Sequence, residues 1–294
     1  MSFPPDTQTL ELELESGIHM RAYARGDGPR TVLFLHGFPE LAVSWHPQFH
    51  DVPEGFRFVA PDLRGYGGTT APAAIREYRM DRLVADVLAL AKAVGAEPFD
   101  LVGHDWGGAI AWEVARAAPR SLRTLSILNC PPGDVMARAL LRNPRQLAMS
   151  WYMFFFQLPK IPEWYFRRDP QAAIESGLFK VALRKEVFTP EVLGPYVTQV
   201  RERGLPGLNY YRAALSALLH PSTPPVIDVP TRIVWGLGDG ALGPWFAERE
   251  LYRTVATDLD IVRIAEAGHW VQQEAPEEVN RALHEHWART AFSS

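Results

Sequence analysis

An aspartate occupies the centre of a short glycine-rich motif whose spacing is typical of a nucleophile turn. The motif reads GHDWGG over residues 103–108, and Asp105 stands where a nucleophilic serine is more usual. Such a turn joins a strand to a helix and exposes its central side chain, and glycines on both sides relieve the crowding. The motif therefore predicts a carboxylate nucleophile at Asp105.

A carboxylate at this position changes the chemistry that the site can perform. A serine must lose a proton before it attacks an acyl carbon, whereas an aspartate is already anionic at neutral pH. Asp105 can therefore displace a leaving group from saturated carbon and form an alkyl ester. Water can then cleave that ester with the help of a general base. This chemistry indicates epoxides or alkyl halides as substrates.

Two further polar residues lie where a base and its orienting acid are expected. His269 follows the last predicted strand in the stretch AGHW, and Asp239 comes just after a buried strand in WGLGDG. The chain order of nucleophile, acid and histidine matches the triads that are built on such a turn. We therefore expect Asp239 to orient the imidazole of His269 as general base, with Asp134 and Glu40 as reserve candidates for the acid.

Two backbone N–H groups are expected to bind the oxyanion that forms when the ester is cleaved. The stretch HGFP follows the first buried strand, and Phe38 is the expected donor there. The residue after the nucleophile, Trp106, is the expected second donor. Loss of one such donor typically slows a reaction by about 10²–10³-fold, so Phe38 and Trp106 belong to the predicted oxyanion hole.

The elements that must position these residues can be read from the hydrophobic pattern. Two alternating segments, 10–15 and 18–25, predict half-exposed edge strands. Continuous apolar runs, which predict strands buried on both faces, lie at 31–35, 56–60, 100–103, 125–128, 232–235 and 260–264. Helical patterns at 80–94, 107–118 and 276–288 alternate with these runs. The sequence therefore predicts an α/β fold with a mostly parallel sheet covered on both faces.

The pattern changes in the middle of the chain, where no convincing strand is visible and prolines separate amphipathic and aromatic segments. We predict a helical cap over residues 131–225, inserted into a core of residues 1–130 and 226–294, with the run HPSTPP at 220–225 as its exit linker. Five aromatic residues indicate an apolar, aromatic-rich cap, and apolar pockets select their ligands by shape. These residues are Trp151, Phe154, Phe155, Phe156 and Trp164.

Composition and charge exclude several classes of protein. The 294 residues are 47% hydrophobic and 22% charged, which excludes disordered and fibrous chains. A formal net charge of −4 indicates neither nucleic-acid binding nor membrane binding. The single Cys130 fits a reducing compartment, and residues 1–6 show no secretory signal. We therefore expect a soluble cytoplasmic monomer or homodimer that needs no metal or cofactor.

Four segments of the sequence resemble soluble α/β-hydrolase-fold epoxide hydrolases. They are HGFPE at 36–40, DLRGYG at 62–67, GHDWGG at 103–108 and GHW at 268–270. The resemblance covers the whole core and implies an eight-stranded, mostly parallel sheet flanked by helices, with an inserted cap. It also implies that the substrates are a small apolar epoxide and water and that the product is a vicinal diol; detoxification and catabolism both stay open as the physiological role.

An epoxide oxygen leaves as an alkoxide and therefore needs a proton. A tyrosine, with a pKa of about 10, can supply that proton and remain neutral at pH 7. In the family that the chain resembles, two cap tyrosines activate the epoxide. One precedes an aromatic run ending in Gln and Pro, which matches Tyr152, and the other lies in an Asn-aromatic-Tyr-Arg stretch, which matches Tyr211. Tyr210 is the neighbouring alternative.

Dehalogenases that use the same aspartate are the alternative. Fluoroacetate dehalogenases carry arginine where this chain has Trp106, and a His-Trp pair where Trp151 and Tyr152 stand. Haloalkane dehalogenases place tryptophan after the nucleophile, but many have asparagine at the position of Phe38, whose side chain offers halide no donor. A binding protein that uses the cavity as a receptor is a third class, against which the intact catalytic groups argue. We predict an epoxide hydrolase, with a haloalkane or haloacid dehalogenase as the alternative.

Overall fold

The centre of the molecule is one eight-stranded sheet, seen in a computed structural model that describes residues 1–219 and 224–291. The strands follow the order β1-β2-β4-β3-β5-β6-β7-β8. They are β1 Gln8–Glu13, β2 His19–Arg25, β3 Arg30–Leu35, β4 Phe56–Pro61, β5 Phe99–His104, β6 Leu122–Leu128, β7 Thr231–Gly236 and β8 Leu259–Ile264. Only the β1–β2 and β2–β4 pairs are antiparallel. The predicted eight-stranded, mostly parallel sheet is confirmed.

Helices cover both faces of this sheet. They are α1 His46–Phe49, α2 Met80–Ala93, α3 Trp106–Ala117, α4 Gly133–Arg142, α5 Pro144–Met149, α6 Trp151–Phe155, α7 Ile161–Arg168, α8 Pro170–Ala172, α9 Pro190–Arg203, α10 Leu208–Leu219, α11 Val271–Glu274 and α12 Pro276–Ala291. No helix within the described ranges is long and apolar enough to cross a bilayer.

The core consists of two layers because successive strand residues point to opposite faces of the sheet. Leu33 and Leu101 belong to the layer that also contains apolar residues of α2, α3 and the cap. Their chain neighbours Val32 and Val102 belong to the layer that contains residues of α1, α11 and α12. Central strands buried on both faces are therefore fixed in register from both sides, which makes their ends a rigid platform.

The position of β2 differs from the sequence-based expectation. β1 lies at the edge of the sheet, but β2 pairs with both β1 and β4, so the prediction that it is an edge strand is wrong. Burial does alternate along β2, as its sequence indicated. The reason is that alternating burial shows only that one face of a strand is less well covered. A strand in the interior of a sheet can have such a face as easily as an edge strand.

The register of the parallel strands aligns their carboxyl ends at one edge of the sheet. Leu35 at the end of β3 pairs with Gly103, and Leu128 at the end of β6 pairs with both His104 and Val234. Loops that leave these strands therefore start at the same level. In sheets of this kind, ligands bind at the carboxyl ends of the strands, and every predicted catalytic residue of the core follows one of these ends.

The described residues between β6 and β7 form no strand. The helices α4 to α10 and short 3₁₀ and π turns occupy this segment, as expected for a helical cap. The predicted boundaries at residues 131 and 225 stay predictions. Most of the predicted exit linker, residues 220–223, lies outside the described residues.

Candidate active site

Asp105 lies in a sharp turn between β5 and α3 with φ 47° and ψ −119°. A non-glycine residue adopts positive φ at a cost in strain, and such residues are concentrated at functional sites. The flanking glycines make the turn possible. A Cβ atom on Gly103 would lie 2.4 Å from the Gly107 carbonyl oxygen, and one on Gly107 would lie 2.1 Å from that of Leu35. No larger side chain fits at either position, in agreement with the role expected of the motif.

The Asp105 carboxylate lies between a backbone donor and a histidine. Its Oδ1 accepts a hydrogen bond of 2.8 Å from the backbone N–H of Phe38, and its Oδ2 lies 3.6 Å from His269 Nε2. Trp106 is the first residue of α3, where a helix leaves its N–H groups without an intrahelical acceptor. The two predicted oxyanion donors thus stand on the loop after β3 and at the start of α3, next to the carboxylate that would carry the ester.

Asp239 is the carboxylate that contacts the histidine. His269 Nδ1 lies 2.8 Å from Asp239 Oδ2. The other oxygen, Oδ1, accepts hydrogen bonds from the backbone N–H groups of Ala241 and Leu242 at 2.7 and 2.8 Å. Because both oxygens have partners, the carboxylate has a fixed orientation and holds the imidazole ring towards Asp105.

The two reserve acids lie elsewhere. Asp134 forms ion pairs with Arg116 and Arg138 at 2.7 and 3.0 Å. Glu40 is fully buried and lies 2.7 Å from His104 Nδ1. Neither carboxylate is within salt-bridge distance of the His269 imidazole, so Asp239 is the acid that the geometry brings to the histidine.

His269 lies between the carboxylates of Asp105 and Asp239. Burial by itself would lower the pKa of the imidazole, but the charge of Asp239 and the hydrogen bonds to Asp105 and Asp239 raise it well above its usual value. Burial would raise the pKa of Asp105, but the hydrogen bond and charge of His269 hold it below its usual range. Both shifts favour an imidazolium beside an anionic Asp105 carboxylate at neutral pH.

The two predicted tyrosines face the same cavity as Asp105. Tyr152 on α6 and Tyr211 on α10 both line it, with ring centroids 6.0 Å apart and planes at 86°. Burial and then the nearby charge of Asp105 raise the pKa of each phenol above its usual value. Both hydroxyl groups therefore keep their protons at neutral pH and can donate to an oxygen atom in the cavity.

Tyr210 and Tyr211 have different surroundings although they are adjacent in α10. The Tyr210 hydroxyl donates a hydrogen bond of 2.8 Å to the Arg64 carbonyl oxygen, and its ring packs against Tyr78. The Tyr211 ring instead packs edge-on against Phe38 at 5.2 Å. Of this pair, Tyr211 is the one that lines the cavity.

The cavity has a volume of about 620 Å³, within the usual range for a small-molecule site. Its apolar walls include Met80, Ala109, Met136, Ala137, Met153 and Leu242. None of the five aromatic residues that indicated an apolar, aromatic-rich cap lines this cavity. Trp151, Phe154 and Trp164 are exposed on the surface of the cap, and Phe156 is buried against Tyr211. Aromatic side chains in a short helix cannot all face one direction, and most of these face outwards.

Asn129 is a supporting residue that the sequence reasoning missed. It directly follows β6 with φ 42°, a left-handed conformation that asparagine tolerates well. Its Nδ2 donates to Asp239 Oδ2 at 2.7 Å, and its Oδ1 accepts from the Gly236 N–H at 2.9 Å. An asparagine immediately after a buried strand, at the edge where the other site residues cluster, was the available signal.

Glu40 is the centre of a second buried network that the sequence reasoning did not find. Its Oε2 accepts from the Gly37 N–H at 2.9 Å, and its Oε1 accepts from the amides of Gln272 and Gln273 at 2.9 and 2.8 Å. His104, which faces Glu40 with Nδ1, donates from Nε2 to the His269 carbonyl oxygen at 2.9 Å. The network connects the loop after β3, the end of β5 and the segment that carries His269.

The chain is similar to proteins of one hydrolase family. It matches the α/β hydrolase fold family over residues 30–276. It is 35% identical to epoxide hydrolase 4 of Mus musculus over 93% of this chain and 77% of that protein. It is also 35% identical to the AB hydrolase superfamily protein YfhM of Bacillus subtilis, over 92% of this chain and 93% of that protein. A crystal structure of Bacillus megaterium epoxide hydrolase with an inhibitor is similar with a TM-score of 0.86 and 28% identity, over 96% of this chain and 100% of that chain.

The charge arrangement predicts how the pKa of His269 responds to Asp105. The substitution Asp105→Asn removes one of the two negative charges that stabilise the imidazolium, so we expect the pKa of His269 to fall relative to the native protein. Titration of the His269 ring signals by NMR measures this change. Asp134→Asn, which removes a carboxylate from the wall of the same cavity, is the control and should change the pKa much less. Equal shifts in both variants would contradict the assigned ion pair.

Proposed function

The chain belongs to the α/β-hydrolase-fold family of epoxide hydrolases and is a hydrolase, and from this membership and the site geometry we propose that it converts an epoxide into a vicinal diol through an ester on Asp105. The observation that carries the proposal is that Asp105, Tyr152 and Tyr211 line one cavity while His269 lies directly beside Asp105. Asp105 lies 3.6 Å from His269 and shares the cavity with the phenols of Tyr152 and Tyr211. A nucleophile, a base and two proton donors are what the two-step reaction needs.

In the first step, Asp105 Oδ2 attacks an epoxide carbon and the carbon–oxygen bond of the ring breaks. Tyr152 and Tyr211 donate hydrogen bonds to the epoxide oxygen, and one of them gives its proton to the alkoxide. The proton of the imidazolium then restores the phenol, by way of water. Asp105 Oδ1 stays bonded to the Phe38 N–H, which places the future ester carbonyl at the oxyanion donors. The negative charge of Asp105 and the positive charge of His269 disappear together, so the buried site remains balanced.

In the second step, His269 acts as the general base. The ester no longer carries the charge that helped to raise the pKa of His269, so the imidazole is neutral and can accept a proton from water. The resulting hydroxide attacks the ester carbonyl carbon, and the oxyanion is stabilised by the N–H groups of Phe38 and Trp106. Collapse of this intermediate breaks the bond between the ester carbonyl carbon and the substrate oxygen. The leaving alkoxide takes the proton of the new carboxyl group and is released as the diol. The proton that His269 took from water stays there, so the Asp105 carboxylate and the imidazolium are both restored. Asp239 stabilises the imidazolium throughout.

An epoxide is favoured over an alkyl halide. Two protonated phenols face the nucleophile, and an alkoxide needs a proton whereas a halide needs none. Relatives that are named epoxide hydrolases support the same choice. The apolar walls of the cavity favour a small apolar epoxide, selected by its shape. The direct test is to incubate the protein with a panel of epoxides and of haloalkanes: we expect diols from the first, and halide release without diol formation would refute the proposal.

The general base can be separated from the nucleophile by trapping the ester. In His269→Gln the alkylation of Asp105 can proceed but the ester is not hydrolysed, so intact-mass spectrometry should show the mass of the epoxide added to the protein. Asp105→Ala should show neither adduct nor turnover. His284→Gln, a substitution on the outer helix α12, should behave as the native protein. A His269→Gln protein that stays unmodified under turnover conditions would argue against a covalent ester.

The two phenols are expected to act as the acids of ring opening. Tyr152→Phe with Tyr211→Phe removes both donors, and because a single transition-state donor is typically worth about 10²–10³-fold, we expect the rate of epoxide opening to fall by at least about 10³-fold. Single-turnover kinetics measures this step. Tyr210→Phe is the matched control, because the hydroxyl of Tyr210 is bonded to Arg64 outside the cavity. If Tyr210→Phe is the damaging change, the assignment of Tyr211 is wrong.

Asn129 is expected to support Asp239 without touching substrate. Asn129→Ala removes a hydrogen bond to a buried carboxylate, and such bonds contribute about 1.5–3 kcal/mol. We expect kcat to fall by about tenfold or more while KM changes little, as measured by steady-state kinetics. Asn280→Ala, on helix α12, is the control. A change confined to KM would place Asn129 in substrate binding instead.

A further inference from the structure

The surface of the cap carries an exposed apolar stripe along α5 and α6. Leu147, Trp151 and Phe154 follow the spacing i, i+4, i+7, which places them on one side of a helical path, and Leu158 follows in the turn after α6. The path continues from α5 into α6 because the N–H of Ser150 bonds to the Gln146 carbonyl oxygen at 2.9 Å. All four apolar side chains are at least 42% exposed. All four side chains of this stripe are apolar, yet they point towards solvent.

The next helix, α7, carries a second stripe beside the first. Ile161, Trp164 and Tyr165 are each at least 43% exposed, whereas Pro162 and Phe166 on the other side of the helix are buried. The two stripes are joined through Phe155, whose ring centroid lies 6.0 Å from that of Trp151 and 6.2 Å from that of Tyr165. We call the exposed residues of both stripes the cap patch: Leu147, Trp151, Phe154, Leu158, Ile161, Trp164 and Tyr165.

The charged side chains around the cap patch are almost all basic. Residues 138–168 contain six basic residues and one acidic residue, a net charge of +5 in a chain whose total is −4. All six basic residues are exposed: Arg138, Arg142, Arg145, Lys160, Arg167 and Arg168. The acidic residue, Glu163, pairs with Arg212 at 2.6 Å. Among the residues that the structure describes, Arg142, Arg145, Lys160 and Arg167 form no salt bridge.

We propose that the cap patch docks on the surface of an anionic phospholipid bilayer. A surface helix that combines exposed tryptophan and leucine with basic residues is typical of interfacial binding, in which the apolar side chains enter the headgroup boundary and the cations face anionic lipids. The guanidinium of Arg168 lies over the Trp164 ring at 5.3 Å, so aromatic and basic groups alternate on this surface. Contiguous exposed apolar surface of this kind marks an interaction site.

A second copy of the chain fits this surface less well than a lipid bilayer. A two-fold symmetric interface would bring the same patch of each copy together, and the basic residues that form no salt bridge would then face the same residues of the second copy. Like charges across an interface disfavour association. An anionic bilayer supplies both the negative charge that the basic residues lack and the apolar layer that the aromatic residues need.

The cap patch is connected to the catalytic cavity through α6. Trp151 and Phe154 are exposed, while Tyr152 and Met153 on the same helix line the cavity. Docking would therefore bring the roof of the cavity against a phase in which apolar epoxides concentrate. This consequence rests on the proposed function, whereas binding to the bilayer does not.

Flotation of the full chain with vesicles tests the docking surface. The probes are vesicles of phosphatidylcholine alone and of phosphatidylcholine mixed with phosphatidylglycerol, and we expect binding to the anionic vesicles that weakens as salt is added. Each basic residue near an anionic surface is worth about fivefold in partitioning, so the triple variant Lys160→Gln, Arg167→Gln, Arg168→Gln should bind about 100-fold more weakly. The matched control is the triple variant Arg120→Gln, Arg123→Gln, Arg281→Gln, which should bind like the native protein. These three arginines are exposed and lie outside the cap segment.

The apolar half of the surface has its own pair of variants. The double variant Ile161→Ser with Trp164→Ser should weaken vesicle binding. The control variant Ile75→Ser with Leu251→Ser changes two exposed apolar residues outside the cap and should leave vesicle binding unchanged. Diol formation from a water-soluble epoxide should be unchanged in all four multiple variants, which separates docking from the proposed function. Absence of binding to anionic vesicles, equal loss in patch and control variants, or self-association that only the patch variants abolish would each overturn the proposal.

Discussion

The ion pair between the His269 imidazolium and its two carboxylates is the interaction on which the site depends. Burial of any one of these charges alone would be very costly, because the protein interior solvates ions poorly. Together they compensate one another, with Asp239 on one side of the ring and Asp105 on the other. The loops after β5, β7 and β8 must therefore bring their three charged side chains to one place. The register of the parallel strands makes this possible because it aligns the strand ends from which these loops start.

A second carboxylate, which takes no part in the proposed reaction, holds these loops together. Glu40 accepts hydrogen bonds from Gly37, Gln272 and Gln273 and faces His104, which in turn is bonded to the His269 carbonyl. Breaking a buried network by removing one member leaves the other polar groups unsatisfied. Asp105 and Phe38, the proposed oxyanion donor, are thus positioned relative to His269 by main-chain and buried side-chain contacts that take no part in the proposed reaction.

The sequence was sufficient for the parts of the molecule that depend on local pattern. Buried strands alternate with helices, and Asp105, Asp239 and His269 each follow a strand, so the fold, the family and the grouping of these residues could be predicted. Contacts between distant loops, such as those of Asn129 with Asp239, leave no local pattern. The sequence also does not determine the direction of a side chain on a short, irregular helix, so it indicated an aromatic-rich cap without showing which of its aromatic residues face the cavity. Likewise, the total charge of −4 does not reveal the basic segment at residues 138–168, because a sum over the whole chain carries no information about where the charges lie.

The five-residue helix α6 presents one face to the catalytic cavity and the other to solvent. The residues of α6 share one short backbone segment, so a substitution on its outer face that shifts this segment also shifts Tyr152. Selection on the exposed residues of α6 would then act on the cavity as well, and selection on the cavity would act on the exposed residues.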